Sequence, residues 1–190
     1  FYIEGASMRG RGADFEIVAN PDRPDEWNDL RGVMLVENGV PEIVFCAVAT
    51  TEPGIKSTNS KEAEKLGGVA RIPFGQYTAW RMGFHKGNKS HPALVQCRAL
   101  KVYADKNRDG KRTGDMLRYA SGINQHGAPT KTKPPQVVGG YSAGCLVGWE
   151  WEKHLYFIGI CMTDPGYIAN KNFEYTSAII NGDEFDSFRF

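Results

Sequence analysis

Gly32-Val33-Met34-Leu35-Val36-Glu37-Asn38-Gly39-Val40-Pro41-Glu42-Ile43-Val44-Phe45-Cys46-Ala47-Val48-Ala49-Thr50-Thr51 carries the strongest structural signal in the chain. Two apolar, β-branched runs, Gly32–Glu37 and Pro41–Thr51, flank Asn38-Gly39, and Asn-Gly supplies the positive φ angles of a tight hairpin turn. Downstream, Thr51–Gly68 turns polar, with a charged stretch Lys61–Lys65, and reads as a surface loop or short helix. Strand character resumes over Val69–Phe84, around Pro73-Phe74-Gly75-Gln76-Tyr77, and again over Ala93–Ala104 and Ile123–His126. Leu155, Ile158 and Met162 recur at helical spacing within Glu150–Met162, so an amphipathic helix is expected there, closed by Asp164-Pro165-Gly166. Phe173–Ile180 reads as a final strand. Upstream of the hairpin, residues 1–30 are polar, with Asn20-Pro21 and Arg23-Pro24, and predict an irregular lead-in with one short strand near Phe15–Ala19.

These 190 residues contain 10 Phe, 8 Tyr, 4 Trp and 22 Gly, a mixture that favours a β-rich fold over a helical bundle. With no internal repeat and no visible boundary, one domain is expected, residues 1–30 packed on a catalytic domain at 31–190. The 23 basic and 22 acidic side chains nearly balance, which argues against a nucleic-acid partner. No apolar run approaches the length of a membrane span. The chain opens at Phe1 with no basic-then-apolar leader, which leaves export open.

Chemistry concentrates in His126-Gly127 and Ser142-Ala143-Gly144-Cys145, fourteen residues apart. A thiol is a poor nucleophile until it loses its proton, and an adjacent imidazole is the usual activator. With Cys145 at a turn before a helix, backbone dipoles would lower the thiol pKa further. Gly144 would leave the N–H groups of Gly144 and Cys145 open as an oxyanion hole, with Ser142 bracing the turn. A buried thiol and a core histidine fit the same spacing. Cys46, Cys97 and Cys161 show no C-x-x-C pattern and read as inert thiols.

His-Gly, fourteen residues, then Ser-x-Gly-Cys resembles the signature of the L,D-transpeptidase (YkuD-like) catalytic domain. Ile72-Pro73-Phe74-Gly75-Gln76-Tyr77 is similar to that family's Thr-Pro-x-Gly-x-Phe strand. The hairpin with Thr50-Thr51-Glu52-Pro53-Gly54 and the elements after Cys145 come in the family's order, so the resemblance covers about residues 31–180. It implies a β-sandwich-like fold with one main helix after the cysteine and short extra helices. It also implies a thioester acyl-enzyme on peptidoglycan stem peptides: Cys145 as nucleophile, His126 as base, the Gly127 carbonyl as its orienter. Tyr77, His85 and Tyr141 are expected to line the substrate cleft, and His85 to stand in for a second histidine that the family carries where this chain has Ala143. Leu146 and Val147 replace the family's Asn or Arg. The acyl group would then pass to an amine, crosslinking cell wall, or to water, as in a carboxypeptidase, endopeptidase or phage-type lysin. A silent wall- or glycan-binding module is the third reading. The resemblance further implies a monomer that works secreted, periplasmic or cell-wall associated, with no cofactor in its chemistry.

Asp105, Asn107 and Asp109, followed by Gly110, Lys111, Thr113 and Asp115, reproduce much of a calcium loop, although Met116 occupies the twelfth position, where a bidentate carboxylate belongs. Structural calcium or a plain hairpin loop are the alternatives. His85 and His91 could join His126 at zinc, but the polar segment between them reads as a solvent-facing loop. Trp80, Trp149 and Trp151 could stack on a sugar, or simply pack. Lys131 and Lys133 are too few for a basic patch, and the loop Ala128–Gly140 between the two reactive residues is a candidate lid.

Overall fold

The computed structural model describes residues 1–11, 14–130 and 132–184; Lys131 lies outside them. Strands β1 (Tyr2–Glu4), β2 (Ala6–Arg11), β3 (Asp14–Ala19), β4 (Asp29–Glu37) and β5 (Val40–Thr50) precede two short helices, α1 (Ile55–Thr58) and α2 (Lys61–Lys65). There follow β6 (Val69–Arg71), β7 (Gly75–Phe84), β8 (Pro92–Gln96), β9 (Leu100–Asp105), β10 (Met116–Ala120), β11 (Gln125–Gly127) and β12 (Leu146–Gly148). After these come α3 (Trp151–Thr163), α4 (Pro165–Ala169), β13 (Tyr175–Asn181) and a 3-10 turn at Gly182–Glu184. The hairpin turns where the sequence requires: Glu37 pairs with Val40, and Asn38 and Gly39 take φ of 51° and 80°.

The fold is mainly β, but the expected sandwich is a closed barrel of eight strands in the order β1-β13-β7-β8-β11-β12-β5-β4. A sandwich leaves sheet edges, and here β1 removes them: Tyr2 pairs in parallel with Ile179 of β13 and antiparallel with Arg31 of β4. Residues 1–30, expected to be irregular but for one short strand near Phe15–Ala19, carry that strand as β3, paired with β2 in a hairpin, and also hold the closing stave. Tyr2 and Ile3 are fully buried, yet three residues at the head of a polar stretch are too short a run to announce a strand.

Two expected long strands each divide between sheets. Val69–Phe84 breaks at Pro73, which has no N–H to give a ladder, and Gly75 at φ 145° redirects the chain from β6 into β7. Ala93–Ala104 breaks after Gln96. The detached pieces β6 and β9 join β10 in a separate sheet of order β10-β9-β6, with β9 pairing both neighbours. Helix α3 falls within a residue of its expected span, but its inward face is His154, Phe157, Ile158 and Cys161, while Leu155 and Met162 are exposed. Asp164 both ends α3 and caps α4 by accepting from Gly166 N at 2.7 Å.

The main core joins Tyr2, Phe45, Trp80, Leu94, Leu146, Phe157 and Ile179. Trp80 is fully buried, and its indole N–H donates to Ile123 O at 2.8 Å. The largest side chain of the core is thereby tied to the segment that enters β11. No helix among the described residues is long and apolar enough to cross a membrane.

Candidate active site

Strand β11 lies between β8 and β12, and its pairing with β12 is parallel: Gln125 with Leu146, His126 with Val147. Carried one residue back, this register sets Asn124 beside Cys145. Leu146 N donates to Asn124 O at 3.0 Å, and Asn124 N donates to Cys145 Sγ at 3.5 Å. Since alternate residues of a strand share a face, Cys145 and His126 occupy diagonal positions on one face of the sheet.

His126 is held by one strong constraint. Its Nδ1–H donates to the Gly127 carbonyl at 2.9 Å, which leaves Nε2 as the bare nitrogen. That Nε2 is buried and has no hydrogen-bond partner among the described residues. Burial, then the neighbouring His85, push the imidazole pKa down to about 3, so the ring is neutral at pH 7. Gly127 has no room for a side chain, because a Cβ there would sit 2.7 Å from the His154 ring.

The other three histidines gather round it. His85 stacks at 4.0 Å between centroids and His91 stands edge-on at 5.3 Å. His91 in turn contacts His154 at 6.4 Å and Trp151 at 5.0 Å. Asn124 Nδ2 donates to His85 Nδ1 at 3.1 Å, its orientation fixed because its Oδ1 accepts from Gln96 N. His91 Nε2–H donates to Gly127 O at 3.1 Å. The segment between His85 and His91, Lys86–Ser90, is exposed as expected, but its ends are closed by His85 N on His91 O at 2.9 Å, and His91 itself is buried. Among the described residues these histidines do not form a set whose nitrogens converge on one zinc ion.

Cys145 follows a strained turn. Gly144 sits at φ 129°, where a Cβ would lie 2.7 Å from Ala70 O, so only glycine fits. Ser142 Oγ donates to Cys145 O at 2.8 Å and accepts from Gly144 N at 3.1 Å. Ser142 thus braces the turn as expected, but it occupies one of the two expected oxyanion donors. Cys145 leads into β12, and α3 begins only at Trp151, so no helix dipole acts on the thiol. Burial raises the thiol pKa, against a lowering contact from Asn124 N–H. The Sγ–H points to Gly122 O at 3.7 Å and does not bond to His126. The remaining thiols are free too, and burial pushes Cys46 to about 11 and Cys161 to about 12.

The other expected site residues sort plainly. Tyr77 donates to Pro73 O at 2.9 Å and closes the turn before β7, while Tyr141, next to Ser142, packs against Trp27 with 6.3 Å between ring centroids. Trp80 is core, Trp151 backs His91, and Trp149 Nε1 donates to Pro135 O at 2.8 Å. Val138 N donates to Asp25 O and Gly139 N to Asp25 Oδ1, so the end of the expected lid, from Pro135 to Gly139, is pinned at both Trp149 and Asp25. A cavity of about 720 Å³ is lined by Phe1, Val33, Leu94, Phe157, Cys161 and Tyr175, not by Cys145 or His126.

The Asp105 loop joins β9 to β10 and satisfies itself. Asp105 accepts from Asp109 N and Gly110 N at 3.1 Å each, and Asp109 accepts from Lys111 N at 2.8 Å and Asn107 Nδ2 at 2.9 Å. Asp115 is the exception: its Oδ2 is buried with no hydrogen-bond partner among the described residues, and burial together with Asp105 and Asp109 raises its pKa, although these three carboxyls do not form a group that could hold one ion. A different acidic group, invisible in the sequence because it comes from three distant segments, could hold a metal ion: Glu4, Asp22 and Glu52 each bring a carboxylate oxygen within 4.8 Å of the others. Arg112 and Arg71 both pair with Glu4, and Arg71 also pairs with Glu52. Burial pushes Glu52 up to about 8 and Asp29 up to about 7. Thr51 Oγ1 lies 2.6 Å from Glu4 Oε2 and 2.9 Å from Asp29 Oδ2. With one hydroxyl proton for two carboxyls, the second contact needs a proton on a carboxyl, and Asp29 is the one raised.

No family model matches the chain, and neither a curated protein nor a solved structure matches it.

Proposed function

We propose that this protein performs cysteine-dependent acyl transfer on peptidoglycan stem peptides through a thioester at Cys145. The observation that carries the reading is the bare, buried Nε2 of His126, its tautomer set by Gly127 O, on the same sheet face as the thiol. An orphaned buried acceptor costs about 1–3 kcal/mol, a cost that a passing proton can repay at the moment of reaction. The substrate class rests on the sequence resemblance.

Rotation about the Cys145 Cα–Cβ bond swings the thiol from Gly122 O toward that nitrogen. As Sγ attacks the stem-peptide carbonyl, its proton passes to Nε2, and the oxyanion meets the Cys145 N–H. The imidazolium returns the proton to the leaving amine as the C–N bond breaks. An incoming amine, or water, then gives its proton to the same nitrogen and releases the thiolate as the thiol. Because the resting thiol is un-ionised, His126 works as a general base and no preformed thiolate–imidazolium pair is needed. His85, stacked on that base, supports the expectation that it stands in for the histidine missing at 143. The chemistry calls for no metal, so a bound calcium would be structural. A substrate of this kind sets the protein to work outside the cytoplasm.

Incubation with tetrapeptide-stem muropeptides, followed by mass analysis, tests this. Crosslinked dimers mark transfer and shortened stems mark hydrolysis, with both lost in Cys145→Ala. If wild-type protein leaves the muropeptides untouched yet binds them, the silent-module reading replaces this one.

A further inference from the structure

We infer that Glu4, Asp22 and Glu52 form a binding site for one hard divalent cation, of the calcium class, which braces the wall behind the Cys145 turn. The inference stands apart from the proposed chemistry.

The group has the donors such an ion takes: carboxylate oxygens only, no sulfur and no imidazole. Calcium–oxygen distances of about 2.3–2.6 Å let two ligands of one ion stand up to about 5 Å apart, and one oxygen from each of these residues lies within 4.8 Å of the others. Glu52 is only 5 % exposed, and its Oε2 is buried with no hydrogen-bond partner among the described residues, as is Oδ1 of Asp22. Native interiors rarely leave carboxylate oxygens so. Arg71 and Arg112 already engage both oxygens of Glu4 and Oε1 of Glu52. That leaves the orphaned oxygens of Glu52 and Asp22 as the open side.

The position gives the ion its role. Two residues beyond Glu52, Gly54 N donates to Ser142 O at 3.0 Å. Next to Arg71, Ala70 N donates to Ala143 O at 3.2 Å, and Ala70 presses on Gly144. An ion on Glu52, near Arg71, stiffens both backbone segments that hold the Ser142–Cys145 turn. Three protein ligands with water completing the shell correspond to a weak site, with Kd on the order of 10⁻⁴ M.

The test melts the full chain, freed of metal, with calcium chloride, magnesium chloride or EDTA, and counts bound calcium by equilibrium dialysis. One ion per chain and a melting temperature about 5–10 °C higher at calcium a hundredfold above Kd are expected. Both disappear in Glu52→Gln and in Asp22→Asn, whereas Asp109→Asn, in the self-satisfied loop, keeps both. Glu52→Gln also gives up the charge that Glu52 shares with Arg71 and is expected to melt lower than wild type in EDTA, so only its shift between EDTA and calcium is read. Should Glu52→Gln fail to fold, Asp22→Asn, at a half-buried position, decides. No calcium shift in wild type overturns the inference, and so does a shift lost in Asp109→Asn but kept in Asp22→Asn.

Discussion

His91 and His126 donate to the same acceptor, the carbonyl of Gly127, at 3.1 and 2.9 Å. The sharing settles both tautomers, and it holds the base from two sides: His126 cannot turn about its own bond without losing a carbonyl that His91 keeps in place. His91→Ala removes that second anchor while leaving the nucleophile and base intact. One hydrogen bond of this kind is worth about 0.5–1.5 kcal/mol, so acylation of Cys145 should slow roughly twofold to tenfold, with KM for the stem peptide unchanged. Pre-steady-state acylation measures it. An equal loss in KM alone would assign His91 to substrate binding.

The raised thiol pKa makes a prediction opposite to the one that a helix N-terminus would have made. Iodoacetamide should label Cys145 slowly at pH 7, and the rate should climb through and beyond pH 9, the ordinary thiol value from which burial raises it. A rate that is already at its plateau below pH 7 would mean a resting thiolate–imidazolium pair, and general-base activation by His126 would be wrong.

Gly144 should tolerate no side chain. At φ 129°, and with Ala70 O only 2.7 Å from where a Cβ would stand, Gly144→Ala combines backbone strain with a collision against backbone. Strain of this sort costs about 1–3 kcal/mol, before the clash is relieved by moving the Cys145 turn. Urea denaturation should show the loss, and muropeptide turnover should fall with it. Ala143, next to it and exposed, is the control: Ala143→His should change stability by no more than about 0.5 kcal/mol.

Tyr2 closes the barrel, and its removal should be expensive. It is fully buried, pairs with Ile179 and Arg31, and its hydroxyl donates to Gln125 Oε1 at 3.3 Å beside His126. Tyr2→Ala should cost about 3–5 kcal/mol, like other buried aromatic truncations, and Tyr2→Phe much less. Equilibrium unfolding distinguishes them. If Tyr2→Ala is near neutral, β1 is not a working stave.

The same residue shows where sequence reading stops. The β4–β5 hairpin and α3 were legible because their signals are local: Asn38-Gly39 between two β-branched runs, and apolar residues at helical spacing closed by Asp164-Pro165. Barrel closure is not local, since it depends on Tyr2 finding Ile179 across nearly the whole chain. Likewise His126 and Cys145 announced themselves through neighbouring glycines, whereas His91 reaches Gly127 only because β7 and β8 fold back on each other. Of the stripe Leu155, Ile158, Met162 only Ile158 faces inward, for the buried face runs through His154, Phe157 and Cys161, and His154 Nε2–H has Pro92 O at 2.8 Å to make burial tolerable.

Acid should unfold this protein through its histidines. Burial lowers His85 to about 4, His126 to about 3 and His154 to about 2, against an unfolded value near 6.5. For each ring the unfolded chain binds a proton that the folded one refuses, so stability rises with pH across that interval. The histidine contribution is thus complete above pH 6.5 and is lost as pH falls from 6.5 toward 4. Glu52 and Asp29, raised to about 8 and about 7, act in the opposite sense as pH rises, so the histidine part is read as a difference between variants. His126→Asn should lose less stability than wild type between pH 6.5 and 4, and its unfolding should take up fewer protons in that interval, both followed by calorimetry in two buffers of different ionisation enthalpy. An identical slope in the two proteins would mean that His126 carries its proton in the folded state, and the neutral base on which the proposed chemistry depends would be gone.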